Sequence, residues 1–239
     1  MQDLLGAAHS RRAVVGNGLV LAGALAVPSV VSAAMQKLTQ DQLAPVTQPP
    51  IPGPSAPGFP APVAAPVTSS RVVRPALLRR ALAALDAQES RVKRDRIAIA
   101  DFAAPSAQAR FHLIDLQNGS STSFLVAHGS GSDPSHTGWL HRFSNDPGSN
   151  ASSEGAFLAQ DYYVGKHGRS QRLIGLDPTN DRALERAVVV HAAWYVGEDM
   201  IRQHGMLGRS QGCFAVAERD LDRVFDRLGQ GRMIYAAKV

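Results

Sequence analysis

The chain has 239 residues, 44% apolar and 19% charged, with a formal charge of +5. That length is one globular domain plus extensions, at roughly 100–200 residues per domain, and the apolar share is enough for a core. The single cysteine, Cys213, excludes an intramolecular disulfide; the positive balance suits an anionic polymer, but no aromatic-interleaved basic patch or motif points to nucleic acid.

Residues 1–34 read as an export signal. Ser10-Arg11-Arg12 precedes an apolar run from Leu19 to Val27, and Val31-Ser32-Ala33-Ala34 offers small residues for cleavage. The paired arginines resemble a twin-arginine signal, which predicts a periplasmic destination. The run is short for a membrane span, so membrane contact is expected only during export or through an uncleaved signal. Residues 35–75 are predicted as a Pro/Ala-rich linker, because proline fixes φ and removes backbone donors.

A globular domain is expected over residues 76–239, opened by a helix over 76–90. Leu77, Leu78, Ala81, Leu82 and Leu85 recur at helical spacing behind Pro75. Strands are predicted at 97–102 and 110–116, then at 123–127 beyond an Asn118-Gly119 turn. Residues 129–155 are rich in Gly, Ser, Asn and Asp and read as long, functional loops. Further strands are expected at 169–176, at 187–190 running into His191, and at 233–237. A helix through Leu221, Val224, Phe225 and Leu228 is closed by Gly229. The sum is an α+β domain, mainly β, without the alternation of a doubly wound sheet.

The chemistry-bearing segments are Val188-Val-Val-His191-Ala192 and Gly208-Arg209-Ser210-Gln211-Gly212-Cys213. A cysteine nucleophile needs a thiolate, an entry path and a proton acceptor. The glycines permit a tight turn whose amides face a substrate. A histidine at the end of a buried strand is held rigidly, as a general base must be. The 22-residue gap between His191 and Cys213 fits a strand end, one helix and a return.

Residues 96–237 resemble the murein L,D-transpeptidase catalytic domain, in its branch with a Gly-Arg-Ser-x-Gly-Cys signature. Six stretches carry the resemblance in order: Val126-Ala-His-Gly129, Phe143-Ser-Asn-Asp-Pro-Gly148, Gly165-Lys-His-Gly168, Leu173-Ile-Gly-Leu176, Val188-Val-Val-His191 and Gly208-Arg-Ser-Gln-Gly-Cys213. The resemblance implies twisted β-sheets with a few helices. It makes Cys213 the acylated nucleophile and His191 its base, oriented by a carbonyl just after it. The amides of Gly212 and Cys213 would hold the oxyanion. The substrate would be a peptidoglycan tetrapeptide stem, cut between meso-diaminopimelate and D-alanine and joined to another stem as a 3→3 crosslink. Release to water instead makes an L,D-carboxypeptidase. Neither metal nor organic cofactor is implied.

Arg209, Ser210, Gln211, Ala192, His128 and His167 are the expected substrate-side residues, with Lys166 as a second cation for a stem carboxylate. A carbapenem is expected to acylate Cys213, because a strained lactam mimics the donor. Three positions depart from the family pattern: Ala192 for glycine, Gln211 for an aromatic residue or histidine, and Phe214 for proline. Two rival readings are a zinc peptidase, using His128, His136, His141, His167, His191 and Cys213, and a wall-binding module without catalysis.

Overall fold

A computed structural model describes residues 67–68 and 72–239. The predicted export signal and nearly all of the linker lie outside them. The described residues belong to a unit spanning Ala61–Val239, and no helix among them is long and apolar enough to cross a membrane.

Ten strands form one mixed sheet: β1 Val67–Thr68, β2 Arg96–Asp101, β3 Phe111–Asp115, β4 Ser120–Phe124, β5 Val126–Ala127, β6 Gly155–Gly165, β7 Gly168–Gly175, β8 Val189–Ala192, β9 Phe214–Val216 and β10 Met233–Ala237. Their order is β1-β4-β3-β2-β10-β6-β7-β8-β9-β5. Among the described residues three α-helices accompany them: α1 Pro75–Ala87, α2 Glu198–His204 and α3 Leu221–Leu228. This is the mainly β, α+β architecture expected from the sequence.

The central strand β2 alternates large and small rather than apolar and polar. Ile97 and Ile99 pack with Leu77, Ala81 and Leu85 of α1. Ala98 and Ala100 face the main core, with Val224, Phe225 and Leu228 of α3 and the phenyl rings of residues 102, 111, 157 and 214. Small side chains on one face and branched ones on the other cover both faces. Pro75 opens α1 from its first turn, where its missing N–H costs nothing.

Three features differ from the sequence reading. Val67–Thr68, inside the predicted linker, pairs with Ser120–Ser121 at the sheet edge. The returning strand predicted over 123–127 is broken at Leu125: β4 stays beside β3, while β5 crosses to the far edge and pairs with β9. β6 is the longest strand and was not expected. A register shift between Ala159 and Tyr162 breaks its alternation, which hides it from a period-two pattern.

The crossing at Leu125 is held by a buried arginine. Nε and Nη2 of Arg110 donate to the Val126 carbonyl at 3.2 and 3.1 Å, and Nη1 donates to the Ala104 carbonyl at 2.7 Å. Its Nη2 also donates to Nδ1 of His128 at 2.7 Å. With Nδ1 accepting, the other nitrogen carries the ring proton and faces Asp133 Oδ2 at 3.4 Å. Burial pulls the Arg110 pKa down to about 9, so it remains a cation at pH 7. Burial, then the Arg110 charge, pushes His128 down to about 4.

A buried neutral histidine makes stability depend on pH. Between the ordinary imidazole value of 6.5 and the native value of about 4, the unfolded chain binds the extra proton. Stability is therefore full above 6.5 and falls as pH drops toward 4, by roughly 3 kcal/mol for this one group. Urea unfolding between pH 4 and 7.5 is expected to show this slope in wild type and a shallower one in His128→Gln. Equal slopes would remove His128 from the account.

Candidate active site

β8 and β9 run parallel, with Val190 opposite Phe214 and His191 opposite Ala215. Extending that register puts Cys213 opposite Val189, two residues before His191. Side chains two apart share a face, so Val189, His191 and Cys213 point one way and Val190, Ala192 and Phe214 the other. The first set lines an open cleft of about 510 Å³. The second packs into the main core. Two residues along a strand and one strand across amount to roughly 7 and 5 Å between backbone positions, so thiol and imidazole belong to one floor. The thiol donates to the Ala187 carbonyl at 3.6 Å. Ala187 itself has φ +52°, in the left-handed region.

The imidazole is fixed by its own strand. Nδ1 of His191 donates to the Ala192 carbonyl at 2.8 Å, which leaves Nε2 as the lone-pair nitrogen. His167, in the β6–β7 turn, stacks on it with ring centroids 4.3 Å apart. Burial lowers the His191 pKa from its ordinary value, and the charges of His167 and Lys166 lower it further. Burial raises the Cys213 pKa, against the Val189 amide and the charges of Lys166 and Arg186. Both shifts favour the neutral thiol and the neutral imidazole.

The turn over residues 208–213, which carries Cys213, is held from within and below. Ser210 Oγ donates to the Cys213 carbonyl at 2.7 Å and accepts the Gly212 amide at 3.1 Å. The Ser210 amide donates to the His128 carbonyl, and the Ser130 amide donates to the Ser210 carbonyl. Arg209 Nη1 donates to the carbonyls of Asp133 and Pro134.

Several expected roles change accordingly. The Gly212 amide, expected to face an oxyanion, donates to Ser210 Oγ in this structure. His128 is buried and holds the loop beneath the turn; it does not line the cleft. The Ala192 side chain faces the core, and this residue acts through its carbonyl. Arg209 and Ser210 reach the cleft wall with their polar atoms engaged in the turn and its supporting loop. Gln211, His167 and Lys166 line the cleft. Phe214 packs against Phe102, Phe111 and Phe157, so its difference from proline lies in the core rather than in the acyl pocket.

Tyr195 and Arg186 are among the cleft residues not found from the sequence. Tyr195 lines the cleft, its phenol pushed up to about 12 by burial and by the charge of Cys213. Its Cβ and ring would lie 2.6–2.9 Å from any Cβ on Gly208, so the first glycine of the turn leaves room for this aromatic residue. Arg186 also lines the cleft, and only its place just before an apolar strand run hinted at a role. Among the described residues, no three of His, Cys, Asp and Glu stand together as a metal site. His136 and His141 are engaged separately, with the Leu207 carbonyl and with Thr137.

An α+β domain whose lone thiol and an oriented imidazole share one cleft floor is the class this geometry defines. A family model for the L,D-transpeptidase catalytic domain matches residues 69–237, well over half the sequence, and the chain belongs to that family. No curated protein matches it. Solved structures similar to it include an L,D-transpeptidase from Mycobacterium smegmatis, with TM-score 0.37 and 13% identity over 60% of this chain and 58% of that one. Another is L,D-transpeptidase 3 from Mycobacterium tuberculosis in complex with a faropenem-derived adduct, at 0.38 and 11% over 60% of each. A third is an L,D-transpeptidase from Stackebrandtia nassauensis, at 0.35 and 14% over 62% and 58%. The chain thus spans less than two thirds of the Mycobacterium smegmatis chain.

Gly212 is the strictest glycine of the turn. Its φ is +108°, and an added Cβ would lie 2.7 Å from the Ala151 carbonyl oxygen. Gly212→Ala is expected to cost about 2 kcal/mol or more, from strain plus the clash. Urea unfolding measures this, and a loss under about 0.5 kcal/mol would show that the turn relaxes freely.

Proposed function

We propose that this protein is an exported peptidoglycan L,D-transpeptidase that works through a Cys213 acyl-enzyme and forms 3→3 crosslinks. The observation that carries the reading is the common face of Cys213 and His191 on paired parallel strands, with Nδ1 tethered and Nε2 turned free. The twin-arginine-like start, Ser10-Arg-Arg, supports export to the periplasm, and the Pro-rich stretch supports a tether.

In this mechanism the Cys213 proton passes to His191 Nε2 as Sγ attacks the meso-diaminopimelate carbonyl of a tetrapeptide stem. The Cys213 amide holds the oxyanion, since that of Gly212 is engaged. The intermediate collapses, the C–N bond breaks, and D-alanine leaves with the proton from His191. An acceptor amine then loses its proton to His191 and attacks the thioester, giving the crosslink and restoring the thiol. Water in place of the amine gives the L,D-carboxypeptidase alternative, which uses the same groups and the same open cleft.

The rivals have less support. Of the histidines named for zinc, His128, His136 and His141 are engaged in hydrogen bonds away from the cleft. A wall-binding module has no need of a thiol in a cleft beside an oriented imidazole.

Incubation with purified tetrapeptide muropeptides, resolved by mass, is expected to yield dimers whose fragmentation places the new amide between two diaminopimelates. Trimmed tripeptides alone would favour the carboxypeptidase, and unchanged substrate would defeat both readings. A carbapenem is expected to add its ring-opened mass to wild type and not to Cys213→Ala. His191→Ala should slow this acylation roughly 10²–10⁴-fold, the usual worth of general-base help. Because burial depresses the His191 pKa, the base is free at pH 7, and the rate should fall only below the ordinary imidazole range. An unchanged rate in His191→Ala would strip His191 of its role.

A further inference from the structure

Arg186 stands between the nucleophile turn and the loop over residues 144–153. Nη1 of its guanidinium donates to the Ser144 carbonyl at 2.9 Å and to Ser153 Oγ. Nη2 donates to the Ala151 carbonyl and to Ser149 Oγ at 3.3 Å. Four acceptors on one loop fix a planar fork that a flexible ammonium would not hold. The same Nη2 lies 3.1 Å from the position a Cβ on Gly212 would take, directly against the turn that carries Cys213. The next residue, Ala187, supplies the carbonyl that accepts the thiol proton. One side chain therefore joins the loop, the turn and the thiol's own acceptor.

We propose that Arg186 is the positioning residue of the nucleophile: its guanidinium clamps the 144–153 loop on the Gly212–Cys213 turn and supplies the fixed positive charge that stabilises the Cys213 thiolate. The assignment deepens the thiol mechanism above and rests on it for its purpose, but not for its test. Several other titratable or charged groups line the cleft around the thiol. Lys166 and His167 approach from the β6–β7 turn, Glu185 from the segment before β8, His191 from β8 itself, Tyr195 from the crossover and Arg209 from the turn. Lys166 has greater influence on the thiol than Arg186; it differs in being an exposed lysine in a hairpin turn, free to follow a substrate, while Arg186 is half-buried and held at four points. Burial lowers the pKa of Arg186, and the neighbouring Cys213 charge, followed by Asp146, acts in the opposite direction. Thiol and guanidinium thus favour each other's charged forms.

The test is the pH dependence of Cys213 alkylation by iodoacetamide, which reads the thiolate and needs no peptidoglycan substrate. In the full-length protein, Arg186→Met is expected to move the midpoint up by about one pH unit, which is roughly ten-fold slower alkylation below the midpoint. Arg186→Lys should restore most of the shift by keeping the charge, while leaving the 144–153 loop more open to limited proteolysis. Circular dichroism checks that each variant folds. A folded Arg186→Met with an unmoved midpoint overturns the proposal. Should that variant not fold, Arg186→Gln decides: a rise of about a unit supports the charge assignment, and a midpoint within half a unit of wild type overturns it. A shifted midpoint in a protein that never acylates on muropeptides would leave this inference standing and remove the proposed function.

Discussion

The parallel pairing of β8 with β9 is the constraint on which the site depends. Parallel neighbours need a crossover, and residues 193–213 supply it, with α2 on the way. Once Val190 is paired with Phe214, the alternation of a strand decides the rest. Val190, Ala192 and Phe214 enter the core, and Val189, His191 and Cys213 face the cleft. A slip of one residue would send the thiol into the core and Phe214 into solvent. The cluster of Phe214 with Phe102, Phe111 and Phe157 makes such a slip costly. Packing on one face thereby sets the chemistry on the other.

Beneath this pair lies a buried polar system. Arg110 fastens the crossing of β4 to β5 and donates to His128, and His128 meets Asp133. The backbone of residues 128–130 in turn holds Ser210. A buried cation with unpaired donors would be expensive, and its stability here comes from a full set of acceptors. The network turns a flexible, glycine-rich loop into a fixed support for the nucleophile turn.

Much of this was legible in the sequence, for identifiable reasons. α1, α3 and β10 were placed because their apolar spacing, Pro75 and Gly229 are local signals. The two chemistry-bearing segments stood out because a lone cysteine directly behind a glycine turn and a histidine at a strand end are unusual neighbours. β6 was lost to its irregular register, and the break at Leu125 depends on Arg110, fifteen residues earlier. The burial of His128 beneath the turn, and the bond from the Gly212 amide to Ser210, were missed for a similar reason. Which amide faces a substrate, and which imidazole is buried, are settled by partners distant in sequence, and no local pattern records them. Arg186 and Tyr195 escaped because nothing in their neighbourhoods marks which way they point.

The electrostatics give the site its resting state. Burial raises the thiol and lowers the imidazole, and the nearby cations act on both. Both shifts favour a neutral pair, and in the proposed mechanism the proton moves as the acyl donor arrives. The most direct measurement is long-range ¹H–¹⁵N correlation spectroscopy of the imidazoles at pH 7. The expected result is a neutral His191 with its proton on Nδ1 and Nε2 bare. An imidazolium at residue 191, or the opposite tautomer, would contradict the geometry on which the mechanism is built.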